Sequence, residues 1–472
     1  MAVSRMLQHA PNTAWRVLVG AVYLVSVAGC IFLRDPPTSE ELHEEAMSNA
    51  PIPEQWRAVA APGSVEGNWL AAFADTRLEE MVAEAVQYNA DLQLAAARVE
   101  QAAALVRVAG GELWPAVDAL ARGGGQTSGD NSGLEGWLLS ASWELDVWAR
   151  VRYSRRAASD QYASTEADLV FAQQSLAALV AKSWFMATEA ALQRKLLTEI
   201  VDASAKLVEL ADQRLQVGIG SELDVASARV TLQTYRDNLR QVQLAYEQSL
   251  RALELLLGRY PAAEIAVPEE FGTLAADVPA GLPSELLERR PDVIAAQNRV
   301  AAAFSRVKEA QAARLPRISL TGSGSHITSE LFVLQDREDP SWSIGANILA
   351  PLFRGGALKA QVEVRTAEQK QAVAQYVQTA LKAFGDVENA LSSELALQDR
   401  EAILASAVAD AGRALQLAET RYRVGSGDLR SVQQQQLAYH ATRMSLLRVQ
   451  SERRVQRVNL HLALGGDFAA SA

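Results

Sequence analysis

The sequence predicts a mainly helical chain that also carries a membrane β-barrel segment, built as two tandem repeats of helix, strand, strand, long helix and long helix. Three observations predict it. No proline lies between Pro115 and Pro261 or after Pro351, so two long blocks are free to be helical. Short segments rich in Gly and Ser, with apolar and small polar residues alternating, interrupt the helical pattern. Two Gly-x-Gly breaks, "RLQVGIGSELDV" from Arg214 and "RYRVGSGDLRSV" from Arg421, recur at corresponding places.

The chain has 472 residues, 49% hydrophobic and 21% charged, with a net charge of −11. This is ordinary globular composition, and its acidic lean argues against nucleic acid as a partner. Five His and six Met are scattered, so neither a metal nor any other cofactor is expected. Cys30 is the only cysteine, which excludes an intramolecular disulfide.

The chain opens as a lipoprotein signal peptide over 1–29: Arg5 and Arg16, then an apolar run from Val17 to Ala28 too short to span a bilayer comfortably. Val27-Ala28-Gly29-Cys30 is similar to a bacterial lipobox, which makes Cys30 the acylated (palmitate-type) N-terminus of the mature chain. By the rule for such lipoproteins, Ile31 after the cysteine is similar to an outer-membrane address. Each buried methylene contributes about 0.8 kcal/mol, so several acyl chains anchor firmly. The segment 30–68, with five prolines between Arg34 and Gly67, reads as an extended arm.

Repeat 1 spans 69–280 and repeat 2 spans 281–472. "DLQLAAARVEQAAALVRVAGGELWP" from Asp91 aligns without gaps on "DVIAAQNRVAAAFSRVKEAQAARLP" from Asp292, matching Arg98 to Arg299 and Pro115 to Pro316. Trp137 then meets Trp342, Trp148 meets Phe353, and Gly258 meets Gly465. Strands are expected at about 116–126, 137–147, 317–326 and 342–351. The first alternates poorly and rests on the repeat. In the second, Trp137, Leu139, Ala141, Trp143 and Leu145 share one face, opposite Leu138, Ser140, Ser142, Glu144 and Asp146. In the others, Ile318, Leu320, Trp342, Ile344, Ala346 and Ile348 oppose Ser319, Thr321, Ser323, Ser325, Ser343, Gly345 and Asn347.

About ten residues, apolar on one face and small or polar on the other, is the pattern of a tilted transmembrane strand. Trp137, Trp342, Trp148 and Phe353 fall at strand ends, where an aromatic girdle lies. Four strands cannot close a barrel, and open edges in lipid leave backbone groups unpaired at several kcal/mol each. Two, three or four copies must therefore pool strands. The helix from Arg150 to Val217 spans roughly 100 Å at 1.5 Å per residue. Its apolar positions, such as Leu169, Leu176, Leu179 and Val180, need partner helices. The returning helices Ser221 to Leu257 and Leu429 to Leu464 make two hairpins, with tips at about 217–221 and 424–428.

"GLPSELLERRPDV", Gly281 to Val293, resembles a signature of the TolC-like outer-membrane factors. It is closest in pattern to their lipoprotein branch, the NodT-like efflux lipoproteins of RND-type systems. "SWELDVWAR", "APLFRGG" and "RYRVGSGDL" fall where similar segments of that family fall, so the resemblance runs from about Trp69 to Gly466. It implies a homotrimer with a twelve-stranded barrel over a twelve-helix periplasmic tunnel, closed at rest. It also implies a periplasmic adaptor (membrane fusion) protein and an inner-membrane pump as partners. The chain departs from the family at Asp146-Val147-Trp148-Ala149, where an aromatic-glycine pairing is more usual, and at "LRSVQQQQ" after the second tip.

No HExxH, GxSxG or Walker-type GxxxxGK occurs, and the Gly-rich stretch from Arg122 to Gly136 reads as an exposed loop. The chain therefore reads as a conduit without catalytic residues, not an enzyme. Asp428 is a candidate gate residue or a helix N-cap, with Arg421 and Arg423 placed to pair with it or with Glu222 and Asp224. Gly218, Gly220, Gly425 and Gly427 are candidates for turns that admit a docking adaptor, with Val217 and Val424 as apolar contacts. The favoured reading is an outer-membrane exit duct for small molecules such as drugs. Protein export with an ABC transporter and a non-conducting structural lipoprotein are the alternatives.

Overall fold

A computed structural model describes residues 34–61, 63–65, 67–122, 135–274, 278–328 and 341–468. The segment 1–29 expected as a signal peptide, Cys30 and residues 123–134 lie outside the described residues. The chain divides into two compact units: Met1–Ala50, Ala97–Ala167 and Ala295–Gln378 form one, and Pro51–Ala96, Asp168–Ile294 and Thr379–Ala472 the other.

In chain order the helices are α1 (Ser39–Ala46), α2 (Thr76–Tyr88), α3 (Ala90–Gly111), α4 (Arg150–Gln216), α5 (Glu222–Leu256), α6 (Leu286–Arg289), α7 (Pro291–Ala312), α8 (Ala357–Arg423) and α9 (Leu429–Ala463). The strands are β1 (Ala116–Arg122), β2 (Glu135–Leu145), β3 (Arg317–Thr328) and β4 (Ser341–Leu349). Helices α4 and α8 both have 67 residues, α5 and α9 both 35, and α3 and α7 both 22. None of the described helices is long and apolar enough to cross a membrane.

The first unit is organised by one antiparallel sheet in the order β1-β2-β3-β4. The strand expected at 116–126 forms despite its weak alternation, because β2 supplies its partners from Ala116↔Ser142 to Arg122↔Gly136. The strand expected to run to 147 ends at Leu145. Asp146 leaves the sheet to cap α4: its carboxylate accepts from Val151 N at 2.9 Å and from Arg152 N and Nε at 3.0 Å each. Trp148 therefore lies past the strand, its indole donating to Pro316 O at 2.7 Å. The strand expected to reach 351 stops at Leu349, just ahead of Pro351, which has no N–H to donate.

The second unit is a helical core. Trp69, Phe73, Leu78, Val82, Trp184, Leu253 and Leu257 form its main cluster. Asp75 caps α2 through Arg77 N and Leu78 N, both 3.1 Å, and its other oxygen accepts from Trp184 Nε1 at 2.8 Å.

Two equivalent joints close this unit. Asn89 caps α3 through Asp91 N at 3.0 Å and donates its amide to Leu256 O at 3.0 Å. At the aligned position Arg290 reaches Asp292 at 2.8 Å, Asp386 at 3.4 Å and Ala463 O at 3.2 Å. Leu256 and Ala463 are themselves aligned, so two chemically different side chains hold the same carbonyl at the ends of α5 and α9. This is what the Arg-Arg-Pro-Asp of the signature does. Gly258 (φ +74°) and Gly465 (φ +69°) follow those carbonyls; a Cβ would meet Tyr88 O at 2.8 Å in one and Arg289 O at 3.2 Å in the other.

Buried charge concentrates on α8 and α9. Glu394 accepts from Arg453 at 3.3 Å and from Arg457 Nε at 3.1 Å, and Arg453 also reaches Glu401 at 2.9 Å. His440 is buried against Tyr235 and Tyr439, with ring centroids 5.9 and 5.6 Å away. Neither of its ring nitrogens meets a partner among the described residues. Burial and then Arg443 push its imidazole down to about 4, against a smaller opposing pull from Glu199.

Two predictions follow from these contacts. Removing Arg290 strands two carboxylates and a carbonyl, so Arg290→Ala costs about 3 kcal/mol, against about 1 kcal/mol for the cap change Asn89→Ala; thermal unfolding of the two variants reads the difference. Because His440 titrates lower folded than unfolded, the unfolded chain binds the extra proton first. Stability is full above pH ~6.5 and falls by about 1–2 kcal/mol as pH drops toward 4. A His440→Phe chain should show a flatter profile in denaturant titrations across that window.

Candidate functional site

Two features have the chemistry of a conduit: the two faces of the sheet and the two hairpin tips. The inter-strand register places every expected apolar residue on one face. Trp143 pairs with Leu320, Leu145 with Ile318, Ile318 with Ile348, and Leu320 with Ala346. The opposite face carries rows of small polar side chains, one of them running from the Asp118 carboxylate through the hydroxyls of Ser140, Ser323 and Ser343 across all four strands. Ser323 and Ser343 are hydrogen-bonded at 2.7 Å, and Ser325 and Ser341 at 3.0 Å. A slip of one residue would mix the faces.

The apolar face is not packed on a core of this chain: Trp342 is 69% exposed, Ile344 91% and Ile348 67%. That decides against a small soluble sheet resting on its own hydrophobic layer. Trp342 lies across β3, where a Cβ on Gly324 would be 2.5 Å from its ring, and it meets Trp137 edge-on at 6.5 Å. Phe353, also expected at a strand end, is 89% exposed.

At the tips each break is one C-terminal turn made twice. Helix α4 ends with Ile219 N bonding Arg214 O at 2.9 Å and Gly218 N bonding Leu215 O at 3.0 Å; α8 ends with Ser426 N on Arg421 O at 2.9 Å and Gly425 N on Tyr422 O at 3.1 Å. This is the Schellman pattern, which needs a left-handed residue. Gly218 and Gly425 supply it at φ +78° and +82°. The second glycine of each pair answers a different demand: a Cβ at Gly220 would sit 2.7 Å from Leu215 N, and at Gly427 3.0 Å from Arg421 Cβ. All four glycines are thus accounted for by the turn itself. Val217, Ile219, Leu223 and Val424 stand exposed around them.

Asp428 is the N-cap of α9, accepting from Ser431 N at 2.7 Å, and Ser221 caps α5 through Asp224 N at 3.1 Å. The Ser431 bond holds the Asp428 carboxyl below its ordinary range. The expected ion pairing does not form within the chain: among the described residues, no salt bridge joins Arg421 or Arg423 to Asp428, Glu222 or Asp224. The cap directs the Asp428 carboxylate at the Ser431 N–H instead. What ties the hairpins is a pair absent from the expectation. Arg214 lies over the Tyr422 ring at 4.7 Å and donates to Tyr422 O at 3.1 Å, above a cluster of Leu207, Ala211, Val225, Leu429 and Val432. The signal in the sequence was the single aromatic at this tip, where the first repeat has Leu215.

A sheet with one uncovered apolar face and one hydroxyl face, joined to two long helical hairpins, defines an outer-membrane channel rather than a soluble helical protein. The family model described as outer membrane efflux protein matches twice, over residues 81–259 and 282–466. The chain belongs to that family. It is 32% identical over 442 residues to the outer membrane protein OprJ of Pseudomonas aeruginosa, covering 89% of this chain and 91% of that protein. It is 28% identical over 467 residues to the probable efflux pump outer membrane protein TtgC of Pseudomonas putida, covering 95% of each. The solved outer-membrane channel OprN superposes with a TM-score of 0.80 at 27% identity, over 89% of this chain and 98% of that one.

The tip geometry orders the cost of filling each glycine. Gly220→Ala, whose Cβ would come within 2.7 Å of Leu215 N, should destabilise its tip by about 2 kcal/mol, and Gly427→Ala, whose nearest contacts are looser at 3.0–3.2 Å, by about 1 kcal/mol. Amide exchange near residues 214 and 421 measures both, and the reverse order contradicts the packing described.

Proposed function

We propose that the chain is the passive exit duct of a tripartite efflux system in the bacterial outer membrane. It works as a homotrimer whose three sheets pool into one twelve-stranded barrel, with the six hairpins forming a periplasmic tunnel. The observation that carries this reading is the register: an uncovered apolar face and an opposite face, rich in hydroxyls on β2, β3 and β4, stay in step across the four strands. In a closed barrel the hydroxyl-rich face lines water and the apolar face meets lipid. The family match over two segments and the equal helix lengths support two copies of one unit, 69–280 and 281–472.

The signal at 1–29 and acylation of Cys30 put an anchor ahead of the arm 30–68. The exposed Val217, Ile219, Leu223 and Val424 give the tips an apolar surface suited to a periplasmic adaptor, behind which an RND-type pump supplies the energy. The cargo is small molecules, a reading supported by the similar TtgC protein of another Pseudomonas putida strain, which is named a toluene efflux pump outer membrane protein. In the closed trimer Asp428 faces its copies at the mouth, with Arg421, Arg423, Glu222 and Asp224 available to neighbouring hairpins.

Planar-bilayer recording tests this directly. The purified chain should run at trimer mass and give a small resting current. Asp428→Asn keeps a good N-cap and removes the charge, whereas Asp428→Ala removes both. A rise in resting current with both substitutions is the expected outcome. A rise with alanine alone assigns Asp428 to capping only, and an unchanged closed-state current in both removes it from the gate.

A further inference from the structure

Within the first unit, where α3 hands over to β1 and β2 to α4, a groove of about 680 Å³ opens beside the sheet. Arg107 reaches it from α3 and Arg155 from α4, with Trp114 and Trp143 on its walls. Both arginines are exposed, and neither has an ion-pair partner among the described residues. No carboxylate lines the groove. The acids adjacent in the chain to its lining residues are already taken, Glu112 by Arg150 at 3.4 Å and Glu144 by Arg150 at 2.9 Å. Gly110 and Gly111 leave the floor without side chains, and the Arg155 side chain lies 3.6 Å from where a Cβ of residue 110 would be.

The two tryptophans set the surroundings. Trp143 belongs to the apolar face of β2 and is held by its indole N–H on Leu113 O at 2.9 Å. Trp114 is 75% exposed, and Val108 beside it 67%. The groove is therefore continuous with the face that the proposed function sets against lipid, at the strand ends from which the helices leave. Acyl chains end and headgroups begin at such a level, where indole rings are enriched. A pair of guanidinium forks without acids is the chemistry that grips a phosphate bidentately.

We propose that this groove binds the phosphate of an anionic phospholipid headgroup in the leaflet on the helix side of the membrane. The inference rests on the proposed function for the orientation of the sheet. It is particular to one half of the chain: the positions aligned with Arg107, Arg155, Trp114 and Trp143 are Lys308, Ala360, Leu315 and Ile348, so the arginine pair with its two tryptophans occurs once per chain.

The test uses the full chain in mixed micelles holding equal amounts of phosphatidylglycerol and phosphatidylcholine, with co-purifying lipids counted by native mass spectrometry. The wild-type chain should enrich phosphatidylglycerol, and Arg107→Ala/Arg155→Ala should lower that enrichment about tenfold. Arg107→Lys/Arg155→Lys, which keeps the charge, should retain part of it. Equal lipid ratios in wild type and the alanine pair overturn the proposal. So does displacement of phosphatidylglycerol by inorganic phosphate, which would mark a free-anion site, or loss of the trimer without a change in bound lipid, which would mark a contact between copies. Insertion into vesicles of the same lipids is scored separately. A wild-type chain that fails to insert defeats the functional reading and the site with it, whereas insertion without enrichment defeats the site alone.

Discussion

A sheet of four strands has two edges, and the unpaired backbone groups along β1 and β4 are the constraint on which the rest of this structure depends. In water such edges cost little. Against hydrocarbon each unpaired N–H or C=O costs several kcal/mol. The uncovered apolar face, with Ile344 and Ile348 outward, suits the sheet to hydrocarbon, so its edges need partners that the described residues do not supply. Copies of the same chain supply them without a second gene product, and closure removes every edge at once. The hydroxyl rows then need no bulky filler, because their neighbour is water.

The helices face the opposite problem, since they satisfy their own backbone everywhere except at their ends. The four hairpin helices α4, α5, α8 and α9 end in the same way. A left-handed glycine follows the last turn, at Gly218, Gly258, Gly425 and Gly465, and the freed carbonyls are taken up at once. Where a side chain must help, the two halves differ in chemistry and agree in geometry, as Asn89 and Arg290 do on Leu256 O and Ala463 O. Arg290 is the more demanding choice. A buried guanidinium is tolerated only because Asp292 and Asp386 accompany it.

The buried polar groups of α8 and α9 make those helices specific rather than merely greasy. Glu394 with Arg453 and Arg457 allows one register between the two helices, because any slide strands a charge. His440, held neutral among tyrosines, adds a group that resists acid only down to about 4. Near the tips the contacts are lighter: an exposed Arg229–Asp212 pair at 3.2 Å within the first hairpin, and Tyr422 under Arg214 between the two.

The sequence by itself determined the order of the elements, the two faces of the strands and the positions of both tips. These are local properties: period-two alternation, proline-free runs and glycine breaks are written in neighbouring residues. β1 escaped the periodicity, and only its pairing with β2 makes it a strand. Tertiary structure alone decided that Asp146 leaves β2 to cap α4, that Asp428 points at Ser431 N rather than at an arginine, and that Arg214 meets Tyr422. It alone decided that Arg107 and Arg155 share a groove with two tryptophans. Each of these contacts is chosen by competition among several possible partners. Arg214 and Tyr422 are separated by two long helices in the chain, and only folding brings the competitors within reach of one another.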